Sequence, residues 1–244
     1  MTFRISGAPA PLTAENEKGV VILFHGYHSS CRRDLSLQAM LLHRAGYHLI
    51  LADQRSHGES EGSYIGFGAK ERLDVAPWCR LAQHRFGELP LVLFGLSMGA
   101  STVLMAASTD LPPTVRAIVA DSGFSSPWEI IGNTLRHKHR IPPLPTIYFM
   151  NYWSRLLAGF DFREISCQSA LKDSPLPVLL LHGEEDTYVP THMSRALASA
   201  FPHKIRLVTF PHARHGQSVY YDAEGYGETV LTFLENAVKE TKKS

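Results

Sequence analysis

At 244 residues, 44% hydrophobic and 19% charged, the chain suits one globular domain with a sizeable core. Its 24 Lys and Arg nearly cancel its 23 Asp and Glu, giving a formal charge of +1, and no basic stripe marks it for nucleic acid or an anionic membrane surface. No apolar run approaches the roughly 20 residues that span a bilayer, and the N-terminus lacks a basic segment followed by an apolar one.

Cys31, Cys79 and Cys167 are odd in number and far apart, with no CxxC or zinc spacing, which implies a reduced, cytoplasmic chain. The 13 histidines show no HExxH or similar ligand spacing, so no metal site is expected. The C-terminal Lys239, Lys242 and Lys243 read as a solvated helix end.

Thr2 to Ser6 has the pattern of a short edge strand, and the Gly7–Pro11 stretch breaks any element. Val20-Val21-Ile22-Leu23-Phe24 is continuous, apolar and β-branched, as a strand buried on both faces should be. A helix is predicted from about Arg33 to Arg44, ended by Gly46, and a strand over Tyr47–Ala52. Lys70–Phe86 predicts a helix that must absorb Pro77 by a kink or a late start. Leu91 begins the next strand, Thr114–Ala120 forms another, and the alternation resumes at Pro177–Leu181. Between them, residues 122 to 174 hold Pro142-Pro143-Leu144-Pro145, several aromatics and no strand-like run; they read as an inserted helical cap within a single domain spanning 1–244. A helix over Thr191–Phe201, a strand over Ile205–Phe210 and a helix over Ala223–Val238 complete the chain. Alternating strands and helices predict an α/β fold with a mostly parallel central sheet and helices on both faces. Ligands in such sheets bind beyond the carboxyl ends of the strands.

The chemistry concentrates at Gly95-Leu96-Ser97-Met98-Gly99, which follows an apolar strand and opens a small-residue helix. In that context Gly-x-Ser-x-Gly is a nucleophile elbow. The turn forces Ser97 into a strained backbone conformation, and the flanking glycines let strand and helix close around it. Asp186 and His215 also follow predicted strands, so the topology puts all three on one edge of the sheet. A serine needs a base to attack at neutral pH.

With Ser97, Asp186 and His215 in that order, the chain resembles the α/β-hydrolase superfamily from Val20 to about Ala237. The motifs that carry the resemblance are His25-Gly26, Asp53-x-Arg55-x-His57-Gly58-x-Ser60, the Ser97 elbow, His182-Gly183-x-x-Asp186 with Val189-Pro190, and His215-Gly216. The nearest type is a compact bacterial esterase-like serine hydrolase with a short cap. The leading segment is too short for the usual full hairpin, so fewer antiparallel strands are expected at that edge.

The resemblance implies Ser97 as nucleophile, His215 as base and Asp186 as its orienting acid. His215 is preferred to His212 because Gly216 follows it. Asp186 is preferred to Asp121, which also ends a strand, because its whole His-Gly-x-x-Asp-x-x-Val-Pro context fits. The backbone N–H groups of Met98 and Tyr27 should form the oxyanion hole. Asp53, Arg55, His57 and Ser60 read as structural supports of the oxyanion loop, His25 as its brace, and Glu184 and Glu185 as loop charges. Tyr27, Trp128, Phe149, Tyr152 and Trp153 are candidates for an acyl pocket, although aromatics in such a segment serve packing equally well. The function implied is cleavage of small to medium carboxylic esters through an acyl-enzyme, without metal or organic cofactor. Thioester, lipid-ester and peptide hydrolysis use the same machinery. A non-catalytic ligand-binding homologue is the alternative of another class. The implied partner is a small-molecule ester, and nothing in the sequence sets an oligomeric state.

Overall fold

The computed structural model describes residues 17–239; the strand pattern at Thr2–Ser6, the break at Gly7–Pro11 and Lys242–Lys243 lie outside them. Among the described residues six strands form one parallel sheet: β1 (Gly19–Phe24), β2 (Tyr47–Ala52), β3 (Leu91–Leu96), β4 (Val115–Asp121), β5 (Val178–Gly183) and β6 (Ile205–Phe210), in the order β2-β1-β3-β4-β5-β6. β1, β3 and β5 are buried along their whole length. Such strands have no solvated face, which is why their sequences are continuous apolar runs. The edge strand β6 exposes Arg206 between a buried Ile205 and a buried Phe210.

The period of two sorts these strands into two cores. Val20, Ile22, Phe24, Leu91 and Leu93 point to one face, covered by α3 (Arg72–Phe86), α4 (Met98–Ala106), α7 (Cys167–Leu171) and α8 (His192–Ala200). Val21, Leu23, Val92, Phe94 and Leu96 point to the other, covered by α2 (Ser36–Arg44), the short α9 (Ser218–Tyr221) and α10 (Ala223–Lys239). α4 is buried at every position, which its run of small and apolar residues permits.

Most predicted elements stand within a few residues of their expected bounds, with two local differences. The helix expected over Arg33–Arg44 is divided into α1 (Cys31–Asp34) and α2 by Leu35, whose backbone leaves the helical region at φ −121° while its side chain is fully buried. Pro77 lies inside α3, not at a delayed start. Between β4 and β5, where a helical insertion was expected, the chain forms α5 (Pro127–His137), α6 (Pro143–Trp153), a π-helical turn (Ser154–Ala158) and α7. Ser126 caps α5 by accepting a hydrogen bond from the Glu129 N–H, with Pro127 in the first turn.

The tightest packing is where α4 crosses β1. A β-carbon on Gly99 would stand 2.1 Å from the Phe24 carbonyl oxygen. On Gly132, inside α5, the nearest atom would be Ile147 Cδ1 at 3.8 Å. Gly99→Ala should therefore destabilise the fold by at least about 3 kcal/mol, because backbone cannot move aside cheaply. Gly132→Ala should stabilise it by about 0.5–1 kcal/mol through helix propensity alone. Urea unfolding of the two variants checks the opposite signs.

Candidate active site

Ser97 joins β3 to α4 with φ 55° and ψ −116°, a left-handed backbone position costly for any residue with a β-carbon. The surroundings hold it there. Its N–H donates to the Asp121 carbonyl at 2.8 Å, and a β-carbon on Gly95 would collide with the Gly99 carbonyl oxygen at 2.2 Å. Ser101 Oγ, one turn into α4, donates to the Phe124 carbonyl and accepts from the Phe124 N–H, both at 2.8 Å. The sharp turn lifts the Ser97 hydroxyl above the carboxyl edge of the sheet, at the N-terminus of a buried helix.

Two other loops at that edge deliver its partners. The Ser97 hydroxyl donates to His215 Nε2 at 2.8 Å, and His215 Nδ1–H donates to Asp186 Oδ2 at 2.7 Å. These bonds fix the tautomer: Nδ1 carries the proton and Nε2 is free to accept one. Asp186 Oδ1 accepts the N–H groups of Tyr188 and Val189 at 2.9 and 2.8 Å. His182 adds a contact to Oδ2 at 3.3 Å while its Nε2–H donates to the Val189 carbonyl and its Nδ1 accepts from Ser194. Burial alone would push the Asp186 carboxyl up. The hydrogen bonds from His182 and His215, the charge on His215 and the Val189 N–H outweigh it and bring the group down to about 2.

Asp121 is placed differently. It is fully buried and accepts from Tyr226 Oη at 2.9 Å and from Ser122 Oγ at 3.0 Å. Burial raises its carboxyl above the ordinary range, although both hydrogen bonds oppose that. It has no hydrogen bond to His215. Its link to that loop is indirect, since the Gly216 N–H donates to Ser122 Oγ at 3.2 Å. His212 points away and pairs with Glu185 at 3.0 Å on the surface. Glu184 meets Thr209 at 2.8 Å and Arg195 at 3.4 Å.

The loop after β1 passes directly beside Ser97: a β-carbon on Gly26 would stand 3.4 Å from Ser97 Cβ. Asp34 clamps this loop, accepting the Gly26 N–H at 2.9 Å and Ser29 Oγ at 2.5 Å. His25, fully buried, donates from Nδ1 to the Gly26 carbonyl and accepts the Gln54 N–H at Nε2; burial lowers its pKa, which keeps it neutral. His57 Nε2 accepts the His28 N–H at 3.1 Å, Ser60 Oγ donates to the Asp53 carbonyl at 2.6 Å, and Arg55 grips Asp74 through two bonds of 2.6 Å. Met98 is the first residue of α4, where a helix leaves its N–H without an intrahelical acceptor.

A cleft of roughly 800 Å³ opens over Ser97, lined by Tyr27, Arg33, Tyr188, His215, Gln217 and Tyr220 among others. Of the aromatics expected to form a pocket, Tyr27 is in this wall. Trp128, Phe149, Tyr152 and Trp153 are not. Trp128 borders a separate groove between α5, α6 and α8, with Tyr148 edge-on at 5.3 Å. Phe149, Tyr152 and Trp153 are more than half exposed. Phe149, Tyr152 and Trp153 stand outward on α6 and Trp128, on α5, packs towards the core beside the other groove; a hydrophobic count cannot tell these directions apart. Tyr188 and Asp34 were not anticipated. Tyr188, 5.0 Å from the His215 ring, was legible only as part of the Asp186 loop. Asp34 sits eight residues from its partner Gly26, a pairing that no local pattern signals. Among the described residues no group of three or more His, Cys, Asp or Glu is placed to hold a metal ion. All three cysteines are buried and free.

The low-held Asp186 carboxyl makes stability pH-dependent with a definite sign. Its contribution is present above its ordinary value of 3.8 and is lost as pH falls through about 2. The change is worth about 2 kcal/mol at 1.36 kcal/mol per unit. Asp186→Asn should flatten the acid limb of the stability curve between about pH 4 and pH 2, measured by urea unfolding.

Two families match the chain. The profile described as serine aminopeptidase, S33, covers residues 15–149, and a serine hydrolase profile covers 92–215. The Bacillus subtilis protein YqkD is 26% identical over 217 residues, 88% of this chain and 71% of its own length. The lysophosphatidylserine lipase of Danio rerio is 27% identical over 212 residues, 78% of this chain; the chain spans about half, 51%, of that relative. Among solved structures, an esterase from Pyrococcus furiosus superposes with a TM-score of 0.73 at 24% identity over 91% of this chain and 83% of its own. A lipase-esterase related protein from Clostridium acetobutylicum gives 0.68 at 19% identity over 95% and 98%. The shared fold comes from the structures and the family from profiles spanning more than half the sequence: the chain belongs to the serine aminopeptidase family of serine hydrolases, within the α/β-hydrolase superfamily.

Proposed function

We propose that the chain hydrolyses carboxylic esters of small to medium acyl groups through a covalent acyl-enzyme. The observation that carries this reading is the unbroken chain of hydrogen bonds from Ser97 Oγ through His215 to the buried Asp186, at the floor of an open cleft. Ser97 Oγ attacks the ester carbonyl while His215 Nε2 takes its proton. Asp186 stabilises the resulting imidazolium and keeps the ring oriented. The developing oxyanion lies between the N–H groups of Tyr27 and Met98, on the Asp34-clamped loop and the helix start. His215 then returns the proton to the leaving alcohol, the acyl group stays on Ser97, and water repeats the sequence to release the acid. A ligand-binding protein that merely borrowed the fold would have no need for this bonded set. In the same reading, residues 122–174 form a helical cap within a single domain, and the loop at Tyr27 together with Tyr188 reads the substrate.

The amide alternative that the family's description suggests is less well supported. An aminopeptidase must receive an α-ammonium group, and the acidic residue of the cleft, Asp34, already serves Gly26 and Ser29. A second reading, an ester carrying an anionic group such as a lysophospholipid, is favoured by Arg33 in the cleft wall and by the named activity of the Danio rerio relative.

A fluorophosphonate probe should label the parent protein at Ser97, and Ser97→Ala should lose labelling and turnover while remaining folded. Label persisting in that variant would move the nucleophile elsewhere. Asp186→Asn should lower kcat by about 10⁴, the cost of a wrong tautomer in the analogous protease triad. Asp121→Asn, which breaks only a brace, should cost far less once unfolding is corrected for. Steady-state kinetics on p-nitrophenyl esters of graded chain length gives both comparisons. A thioester or amide preferred over every ester in the series would overturn the substrate class while leaving the triad intact.

A further inference from the structure

The helical segment between β4 and β5 is built inside out. A surface helix normally buries its apolar stripe and shows water its polar face. In α6 the buried residues are Ile147 and Asn151, and Asn151 is polar; it donates to Asp161 at 3.0 Å and accepts the Phe162 N–H at 2.7 Å. The outward side of α6 carries Leu144, Phe149, Tyr152 and Trp153, and the π-helical turn after it Leu156 and Leu157, each between 53% and 65% exposed. A contiguous apolar surface of this kind on a folded chain marks an interaction site. No helix of the described residues is long and apolar enough to cross a membrane, so the segment cannot be read as a span.

What lies next to it says what it meets. Arg136-His137-Lys138-His139-Arg140, all exposed, leads straight into the apolar stretch through Ile141 and Pro142. From residue 136 to residue 160 there is no Asp or Glu, against four Lys and Arg. The whole-chain balance of +1 that argued against an anionic surface conceals this local run. Cations beside exposed Trp, Tyr, Phe and Leu are the composition of a segment that lies in a lipid interface. Two-fold contact with a second copy would bring both basic runs into one interface with no acid from this segment to answer them.

We propose that α6 and the turn after it dock on an anionic lipid surface, with Arg136, Lys138 and Arg140 facing the headgroups and Phe149, Trp153 and Leu156 entering the acyl boundary. The placement bears on the cleft. Lys138 lies over the Tyr188 ring at 5.9 Å, and Asn133 Nδ2 donates to the Tyr188 carbonyl at 3.2 Å. Tyr188 is a wall of the cleft over Ser97, so the docked face adjoins its mouth. The proposal stands on exposure and charge and does not rest on the ester reading.

The test is flotation of the full chain with vesicles of phosphatidylcholine alone and with vesicles in which a third of the lipid is phosphatidylglycerol. Binding to the anionic vesicles is expected, weakening with salt, together with a blue shift of tryptophan emission that Trp153→Phe removes. Replacing Arg136, Lys138 and Arg140 together by Gln should weaken binding roughly a hundredfold, from the contribution of each cation near an anionic surface. Phe149→Ser with Leu156→Ser should abolish the residue of binding and leave turnover of a soluble short-chain ester unchanged. Both sets of residues are exposed, so thermal unfolding should match the parent. A parent that does not float, that floats equally with neutral lipid, or whose Gln variant floats undiminished overturns the proposal. So does a dimer in sedimentation that Phe149→Ser with Leu156→Ser turns to monomer without any vesicle binding, which would make the face a self-interface. Vesicle binding without ester turnover would refute the proposed reaction and leave the docking surface standing.

Discussion

The cleft depends on a crossing that has no room for a side chain. α4 starts so close beneath β3 and β1 that Gly95 and Gly99 meet backbone atoms near 2 Å from where a β-carbon would be. This contact fixes the angle between strand and helix, and that angle holds Ser97 at positive φ. The strain is affordable because it is local and the environment is rigid: a fully buried helix, a sheet buried on both faces, and the Ser101–Phe124 bonds behind it. The hydroxyl's position is therefore set by the core, while the loops that carry Asp186 and His215 adjust to it.

Those loops solve an electrostatic problem. Taking a carboxylate out of water is costly unless each lone pair finds a donor. Asp186 finds four, the N–H groups of Tyr188 and Val189, His215 and the more distant His182. The result is a carboxylate that stays ionised in a buried place. Asp121, the last residue of the neighbouring strand β4, has two hydroxyl donors, no cation in hydrogen-bond contact, and a raised pKa. Asp121 ends β4 and Asp186 lies in the loop just after β5, at the same edge of the sheet. Their environments separate an acid that orients an imidazole from one that braces a loop.

What was legible in the chain follows the range of the interactions involved. The sheet strands were readable because burial on both faces writes itself as an apolar run, and the elbow because a steric demand for glycine is written in adjacent residues. The joining of Ser97, Asp186 and His215 was readable from topology, since strand ends of a parallel sheet share an edge. Asp34 on Gly26, Arg55 on Asp74 and Tyr226 on Asp121 were not, because each pairs residues whose separation carries no pattern. The break at Leu35 was invisible for a related reason: its buried side chain, not its propensity, decides where α1 stops.

The segment from 122 to 174 shows the opposite limit. Its composition signalled helices and aromatics, but the side each aromatic faces is decided by which residues reach the core. In α6 these are Ile147 and Asn151, and the Asn151 bonds to Asp161 and Phe162 turn the apolar residues to the outside. Averages hide such an arrangement twice. A balanced net charge conceals five consecutive basic or histidine residues, and an ordinary hydrophobic fraction conceals an apolar face with nothing described upon it. An apolar face of this extent gains free energy when another apolar medium covers it. In the proposed docking a lipid surface is that medium, and the cations beside it supply the attraction that brings it there.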